Sequence, residues 1–400
     1  MRFKAMILAA MLIFCGSGAA AEPPNSASSK VIVLGVEHSA QLVSKSYRPA
    51  VLEAYFSRVK PDAICIERDP VSFAAGDHYE FTYEISEIAV PYAARNGLHV
   101  CPFDWAPSAS DIKLSFGSNL MEPPVIRQES AFVTFDDAAL KRTLFWAENR
   151  TELAKWDHFA DNVQAKSGAE MSRRLFLYRT ALQARRIAAA ARSIPGRTIL
   201  VVVGAFHERD IETMLSQEKG IELIQAPEIG APSEAEIAKH ESQRHDLAAL
   251  TFNLLGRQSG GPVDWRWMNE LMLAAERRKL SAPEIQFLRL RLDRLTGAKD
   301  PTSILRDYNR FLETVPREAI FTWTGAKDVA RLDTFFDPFG NLTVRQRLMI
   351  EIGRELYGLR RRKAAEEMRA KLASELTATK RAQLEVYWNN YLAGAPPKSA

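Results

Sequence analysis

Two short stretches of this sequence place a histidine three residues after a glycine that ends an aliphatic run. VIVLGVEHS at Val31–Ser39 carries His38, LVVVGAFHE at Leu200–Glu208 carries His207, and between them Glu67 ends the run AICI. Two imidazoles and a carboxylate can hold a divalent ion that activates a bound water. Without a metal, a histidine held by a carboxylate can act as a general base on water. The residues alone leave both chemistries open.

These groups meet only if the runs that precede them lie side by side in one sheet. Ligands bind in the crevice beyond the carboxyl ends of parallel strands, and a glycine there lets the backbone turn sharply at the strand exit. We therefore expect His38, Glu67 and His207 to converge on one sheet edge, with Asp104, which follows HVCPF, as a fourth group.

Three charged residues near these groups are candidates for substrate contact, namely Asp104, Glu37 and Arg68. Glu37 stands beside His38 in the sequence, and Arg68 stands beside Glu67. Arg68 could fix the Glu67 carboxylate or bind an anionic group of a substrate. A solvated surface charge is an equally good interpretation of Glu37 and Arg68.

The elements that must position these residues alternate between strand and helix. Unbroken apolar runs predict strands at KVIVLG, DAICIE, LHVCPFDW, TILVVVG and IELIQAP. Helical periodicity predicts the connecting helices at about 48–59, 83–96, 169–192 and 209–216. This alternation predicts an α/β fold with a mostly parallel sheet and helices on both faces.

The chain divides into an α/β core at 30–233 and a mostly helical C-terminal region at 234–400. A helical insertion rich in Trp, Phe and charge interrupts the core at about 106–170. Beyond residue 234, strand-like runs nearly vanish and amphipathic stretches such as WRWMNELMLAAERRKL recur.

The first 21 residues have the features of a secretory signal peptide. Two cations precede an apolar run, and small residues ending in Ala19-Ala20-Ala21 follow it. The apolar run is shorter than the roughly 20 residues that a spanning helix needs. We expect cleavage of residues 1–21, a flexible lead at 22–29, no membrane span in the mature protein, and a periplasmic or secreted location.

Charge and cysteine content limit the partners further. The 53 Lys and Arg residues nearly balance the 49 Asp and Glu residues, which gives no attraction to nucleic acid, so a small-molecule or peptide substrate is expected. Removal of the signal peptide would remove Cys15 and leave Cys65 and Cys101. Both of these lie in strand-like runs. We expect them to be buried free thiols, although an oxidising compartment would permit one bridge.

Several of these stretches together resemble a known superfamily. VIVLGVEHS, PDAICIERD, ISEIAVPYAARNGLHVCPFDW, YRTALQARRIAAAA and RTILVVVGAFHERDIETML are similar to segments of the TraB and GumN-like proteins, the Tiki metalloproteases, the erythromycin esterases and the ChaN-type haem-binding lipoproteins. The resemblance covers about residues 30–227. The superfamily pattern maps onto Gly35 with His38, Glu67, Arg179 on a helix, and Gly204 with His207.

This resemblance implies an erythromycin esterase or ChaN-like core whose site hydrolyses peptide or ester bonds. It implies catalytic roles for His38, Glu67, His207 and Arg179, and it leaves the substrate open. Some members use a divalent metal, which His38, Glu67 and His207 would hold here, and others use none. Two alternatives remain: a periplasmic haem- or iron-binding protein with the histidines as ligands, and a non-catalytic member that acts through its helical C-terminal half.

Overall fold

A computed structural model of the chain describes residues 27–116, 124–162, 167–278 and 282–393. The expected signal peptide at 1–21 and the first part of the lead, at 22–26, lie outside the described residues. Within the described ranges, no helix has both the length and the apolar character needed to cross a membrane.

Five parallel strands form a sheet with the order β3-β2-β4-β1-β5. Strands buried on both faces need apolar side chains at nearly every position, which explains the unbroken Val, Ile and Leu runs. The predicted α/β fold with a parallel sheet is therefore confirmed. The strands are β1 (Ser29–Val36), β2 (Ala63–Ile66), β3 (His99–Pro102), β4 (Thr198–Gly204) and β5 (Ile221–Gln225).

Helices connect these strands and make up most of the chain after β5. Those of the α/β core are α1 (Pro49–Val59), α2 (Pro70–Ala74), α3 (Val90–Asn96), α4 (Ala109–Phe116), α5 (Arg150–Asp161), α6 (Ser167–Ser193) and α7 (Ala205–Leu215). Those after β5 are α8 (Glu234–Ile237), α9 (Gln243–Leu254), α10 (Trp265–Arg277), α11 (Ala282–Leu295), α12 (Pro301–Thr314), α13 (Val344–Gly358), α14 (Arg362–Ser374) and α15 (Ala378–Trp388).

Both faces of the sheet are covered, as the pattern of elements predicts. One face packs against α6 and α7 through apolar residues that include Ile187, Ala191, Ile211 and Leu215. The opposite face packs against α1 and the segment before α3, through residues that include Leu52, Tyr55, Phe56, Ile85 and Ile88. The alternate residues of β1 divide between these two cores because successive side chains of a strand point to opposite faces.

The C-terminal helices have a core of their own and also contact the sheet domain. Met268, Phe287 and Tyr387 lie in the helical core. Phe252 and Phe336, in contrast, belong to the same apolar cluster as strands β1, β2 and β4. The helical half therefore packs on the side of the sheet that carries α1, while the boundary at residue 234 stays a prediction.

Two helices differ from their predicted bounds. The sequence predicted a helix only from Arg209, but α7 begins at Ala205 and its first turn contains His207. The helix can start this early because no helix-breaking residue follows Gly204. The helix predicted at 83–96 begins with a π-helical segment, Glu84–Ala89. Pro91 follows this segment, and it has no N–H to bond the carbonyl of Glu87, so the backbone widens just before it.

Cys65 and Cys101 form a disulfide, so the expectation of free thiols was wrong. The two residues are register partners on the neighbouring parallel strands β2 and β3, and their Cα atoms are 4.4 Å apart. A separation of this size lies within the range that a disulfide can span. The sequence showed that both cysteines lie in strands, and only the strand register showed that they are paired.

The bridge is expected to contribute measurably to stability. It closes a loop over a sequence separation of 36 residues, so the Cys65→Ser/Cys101→Ser double variant should lose about 2–4 kcal/mol of unfolding free energy in oxidising buffer. Denaturant titration with and without dithiothreitol measures this loss. The reductant should destabilise the parent protein and leave the variant unchanged. Two titratable thiols in the denatured, unreduced parent protein would contradict the bridge.

Candidate active site

The three residues at the ends of β1, β2 and β4 meet at one edge of the sheet. The Nε2 atom of His38 lies 3.7 Å from Oε2 of Glu67, and the Nε2 atom of His207 lies 3.7 Å from Oε1 of the same carboxylate. Glu67 and His207 are buried, whereas the side chain of His38 is 25% exposed. Both imidazoles thus point their Nε2 atoms at one carboxylate. His207 follows β4, and His38 and Glu67 follow β1 and β2, the two strands that flank β4.

Glu67 is held from two sides. Arg179 on α6 donates from Nη2 to Oε1 at 2.8 Å, and the backbone N–H of Gly204 donates to Oε2 at 2.6 Å. Arg179 in turn donates from Nε and Nη2 to the buried carboxylate of Asp104, at 2.7 and 2.6 Å. Burial opposes these charges, but the ion pair holds the pKa of Asp104 below its ordinary value and raises that of Arg179.

His207 has a defined tautomer. Its Nδ1 atom lies 2.6 Å from Oγ1 of Thr180, and this hydroxyl donates its own hydrogen to the carbonyl of Phe176 at 2.8 Å. Oγ1 must therefore accept from Nδ1–H, which leaves Nε2 with a free lone pair towards Glu67. Burial lowers the pKa of His207 to about 4, and Glu67 offsets this only in part. His207 is therefore neutral at physiological pH and can accept a proton at Nε2.

His38 has the opposite charge state. Its Nδ1 atom lies 2.7 Å from Oε1 of Glu84, whose other oxygen accepts the backbone N–H of Ser39 at 3.0 Å. Burial lowers the pKa of His38, but the charge and hydrogen bond of Glu84, followed by the charge of Glu67, outweigh burial and raise that pKa to about 9. His38 is therefore an imidazolium at neutral pH and can donate a proton from Nε2.

Glu84 and Thr180 hold the two imidazoles, and neither was predicted from the sequence. Glu84 is fully buried and lies on the same helical face as Ile88 and Tyr92, which are also buried. Thr180 lies on the buried face of α6, one turn before Ala184. A charged or hydroxyl side chain on an apolar helix face was the available signal, since burying such a group requires a partner.

Removing the charge of Glu84 should reverse the protonation of His38. In Glu84→Gln, the lowering effect of burial is no longer outweighed, so the pKa of His38 should fall from about 9 to below neutrality. NMR titration of the histidine ring protons measures this change. Glu87→Gln is the matched control because Glu87 lies on the same segment and pairs with Arg244 instead. An unchanged His38 titration in Glu84→Gln would contradict the assignment.

The two motif glycines make room for carboxylates, which differs from the sharp turn expected of them. Gly204 has an ordinary backbone conformation (φ −55°, ψ 130°), and a Cβ there would lie 2.9 Å from Nε2 of His38 and 3.2 Å from Oε2 of Glu67. A Cβ on Gly35 would lie 2.7 Å from the carboxyl group of Glu208, whose Oε1 accepts the N–H of Gly35 at 2.6 Å. Each glycine thus admits a side chain supplied by another part of the chain.

The remaining predicted site residues lie elsewhere or serve other groups. Arg68 does not bind Glu67, because its buried guanidinium pairs with Asp77 and lies 4.1 Å from the centre of the Tyr79 ring. Glu37 accepts from Nε of Arg142 at 2.6 Å. Asp104 is at the predicted strand end, but both of its oxygens are bonded to protein groups, so it positions Arg179.

A cavity of about 350 Å³ opens beside Arg179 at this edge of the sheet. Phe176, which stacks on the His207 ring at 4.6 Å, lines it, and so does Phe81, which meets the His38 ring edge-on at 5.4 Å. Phe335, from the C-terminal half, forms part of the same wall. The cavity therefore borders two rings that contact the imidazoles, although its own lining includes neither histidine.

The donor groups do not fit a divalent metal. Oε1 of Glu67 already accepts from Arg179 and Oε2 from the N–H of Gly204, so a metal would share one oxygen with a guanidinium or the other with a backbone amide. Across the described residues, no group of three or more His, Cys, Asp and Glu side chains is arranged to hold a metal ion.

Haem ligation by both histidines fits no better. The His207 ring is buried, stacked on Phe176 and bonded at Nδ1 to Thr180, and its Nε2 faces Glu67. A haem plane needs open space around the ligating nitrogen, and His207 does not offer it.

Comparison with known proteins adds no family or neighbour. The sequence matches no protein-family model and no curated protein, and the structure matches no solved structure. Membership of the TraB, erythromycin-esterase and ChaN superfamily therefore stays a prediction that depends on the doubled glycine–histidine motif.

Proposed function

We propose that this chain is a hydrolase that activates water without a metal and cleaves ester or peptide bonds. The observation that carries the proposal is the position of His38 and His207 on either side of Glu67, with Glu84 bonded to His38 and Thr180 bonded to His207, so that the surroundings raise the pKa of His38 and lower that of His207. Environments that push the pKa values of two neighbouring groups apart assign one as acid and the other as base. The resemblance to hydrolases of the TraB and erythromycin-esterase superfamily supports the same reaction class.

In the proposed reaction, Nε2 of His207 accepts a proton from water as the water oxygen attacks the substrate carbonyl carbon. Thr180 keeps the second ring nitrogen in place, and Glu67 stabilises the imidazolium that forms. His38 donates its Nε2 proton to the leaving oxygen or nitrogen as the bond to the carbonyl carbon breaks. The proton on His207 then returns through solvent to His38, which restores both charge states.

Arg179 and Glu84 act as positioning residues in this scheme. Arg179 holds Glu67 between the two imidazoles through a buried ion pair with Asp104. Glu84 orients His38 and keeps it protonated. Second groups that fix the orientation of an acid or base are needed because small misplacements at a reacting centre cost large factors in rate.

A pH profile of ester hydrolysis tests the proposal. The rate should rise as pH passes above about 4, where His207 loses its proton, and fall as pH passes above about 9, where His38 loses its proton. Dialysis against a chelator should leave the plateau unchanged. Loss of activity on chelation, with recovery on adding zinc, would contradict the metal-free mechanism. A screen of ester and peptide substrates without turnover would contradict the hydrolase assignment.

We also propose that the mature protein is exported, to the periplasm or the medium. The proposal rests on the signal-peptide features of residues 1–21. The Cys65–Cys101 bridge supports it, since disulfides form and persist in oxidising compartments.

A further inference from the structure

The cavity beside Arg179 is walled by aromatic rings from four separate parts of the chain. Tyr79 and Phe81 come from the segment before the π-helical turn, Trp105 follows β3, Phe176 lies on α6, and Phe335 comes from the C-terminal half. Tyr79 and Phe81 stack at 5.3 Å, and Phe81 meets Phe335 at 5.4 Å. The rings thus form an apolar wall, and two of its members, Phe81 and Phe176, contact the rings of His38 and His207.

Each of the four cations that line the cavity has an acidic partner in the protein, and for Lys327 this partner is Asp77 at 3.6 Å. Arg127 pairs with Glu80 at 2.6 Å, and Arg331 pairs with Asp333 at 2.7 Å. Arg179 is bonded to Glu67 and Asp104. Because these pairs already satisfy one another, the surface that gains most from a ligand is the aromatic wall, whose burial is favourable in proportion to its apolar area.

We propose that the substrate is a small ester with an aromatic or similarly flat apolar group, which binds against Phe81 and Phe335. The inference rests on the proposed hydrolase function and narrows its substrate class. A cavity of about 350 Å³ is at the lower end of the range for small-molecule sites, which favours a small molecule over a peptide chain. The C-terminal half then has a role in specificity, because it supplies Phe335.

Two substrates that differ only in a phenyl ring test this inference. Methyl phenylacetate should be hydrolysed with a kcat/KM at least about tenfold above that of methyl acetate, through a lower KM, because the ring is buried against the wall. In Phe335→Ala the preference should fall by about tenfold, and Phe335→Leu should be intermediate. Leu273→Ala, at an exposed position on α10 in the same half of the chain, should keep the full preference.

Binding of ketones that contain no scissile bond separates this inference from the hydrolase proposal. Phenylacetone should bind more tightly than acetone in calorimetry, and Phe335→Ala should weaken phenylacetone binding about tenfold. Such binding without any ester hydrolysis would remove the hydrolase proposal and leave the aromatic pocket standing. Hydrolysis with no phenyl preference, or equal binding of the two ketones, would overturn the inference about the substrate. Thermal melting of each variant shows whether it is folded.

Discussion

The His207→Asn variant is expected to lose about a thousandfold in kcat while remaining folded. The asparagine amide can still donate to Thr180 Oγ1, as Nδ1 of His207 does, but it has no basic nitrogen in the place of Nε2. Loss of a general base typically lowers a rate by two to four orders of magnitude, that is, about 10²–10⁴-fold. Steady-state kinetics on an ester that the parent protein hydrolyses, with circular dichroism of each variant, makes the measurement.

His38→Asn should give a loss of similar size, because the amide can bond to Glu84 but cannot donate as an imidazolium does. The double variant should be little worse than either single one, since an acid and a base that act in one reaction are not additive. His99→Asn is the control, because His99 is exposed at the opposite end of its strand from the site. Parent-level activity in both His38→Asn and His207→Asn would eliminate this catalytic site.

Gly204→Ala should reduce kcat/KM about a hundredfold while the protein remains folded. The new methyl group would lie 2.9 Å from Nε2 of His38 and 3.2 Å from Oε2 of Glu67. Both side chains are held by their own partners, so the methyl group displaces them from their aligned positions instead of filling space. A misplacement of about 1 Å at a reacting centre can cost about 10²-fold in rate.

Gly35→Ala should act mainly on stability. Its methyl group would meet the buried carboxyl of Glu208 at 2.7 Å, and overpacking of this kind costs about 1–3 kcal/mol. Gly358→Ala serves as the control, because nothing lies within 4 Å of a Cβ at that position. Denaturant titration and kinetics of the three variants separate the two effects. Equal activity losses in Gly35→Ala and Gly204→Ala would mean that the two glycines do not have distinct roles.

Much of the sheet edge was predictable, because each contributing residue follows a strongly apolar strand. The runs before His38, Glu67 and His207 are buried strands, and the run before Asp104 is a partly exposed edge strand. Parallel strands bring their carboxyl ends to one edge. Convergence also requires that β2, β4 and β1 be neighbours, and the strand order of the structure provides this. The expected role of the two glycines, a sharp turn at the strand exit, was wrong. The side chains of Glu67, His38 and Glu208 approach the glycine backbones closely, and these side chains come from distant parts of the sequence.

The partners of these residues were harder to predict. Glu84 is 46 residues from His38, and Thr180 is 27 residues from His207. The periodicity of a helix or strand predicts contacts only over a few residues, so it does not reveal these pairs. Arg179 came only from the resemblance, although the structure shows its bonds to Glu67 and Asp104 directly. Arg68 was one candidate partner of Glu67 because it is adjacent in sequence, with a surface charge as the alternative. The structure shows neither, since its buried guanidinium pairs with Asp77.

The sequence by itself determined which segments become strands, which residues follow them, and that a helical half completes the chain. These properties depend on the local periodicity of apolar residues, which can be read within a single contiguous segment. Only the tertiary structure decided the charge states of the two histidines, the Cys65–Cys101 pairing and the aromatic wall that Phe335 completes. Proton affinity, disulfide reach and pocket shape all depend on distances between residues far apart in the chain, and folding alone sets those distances.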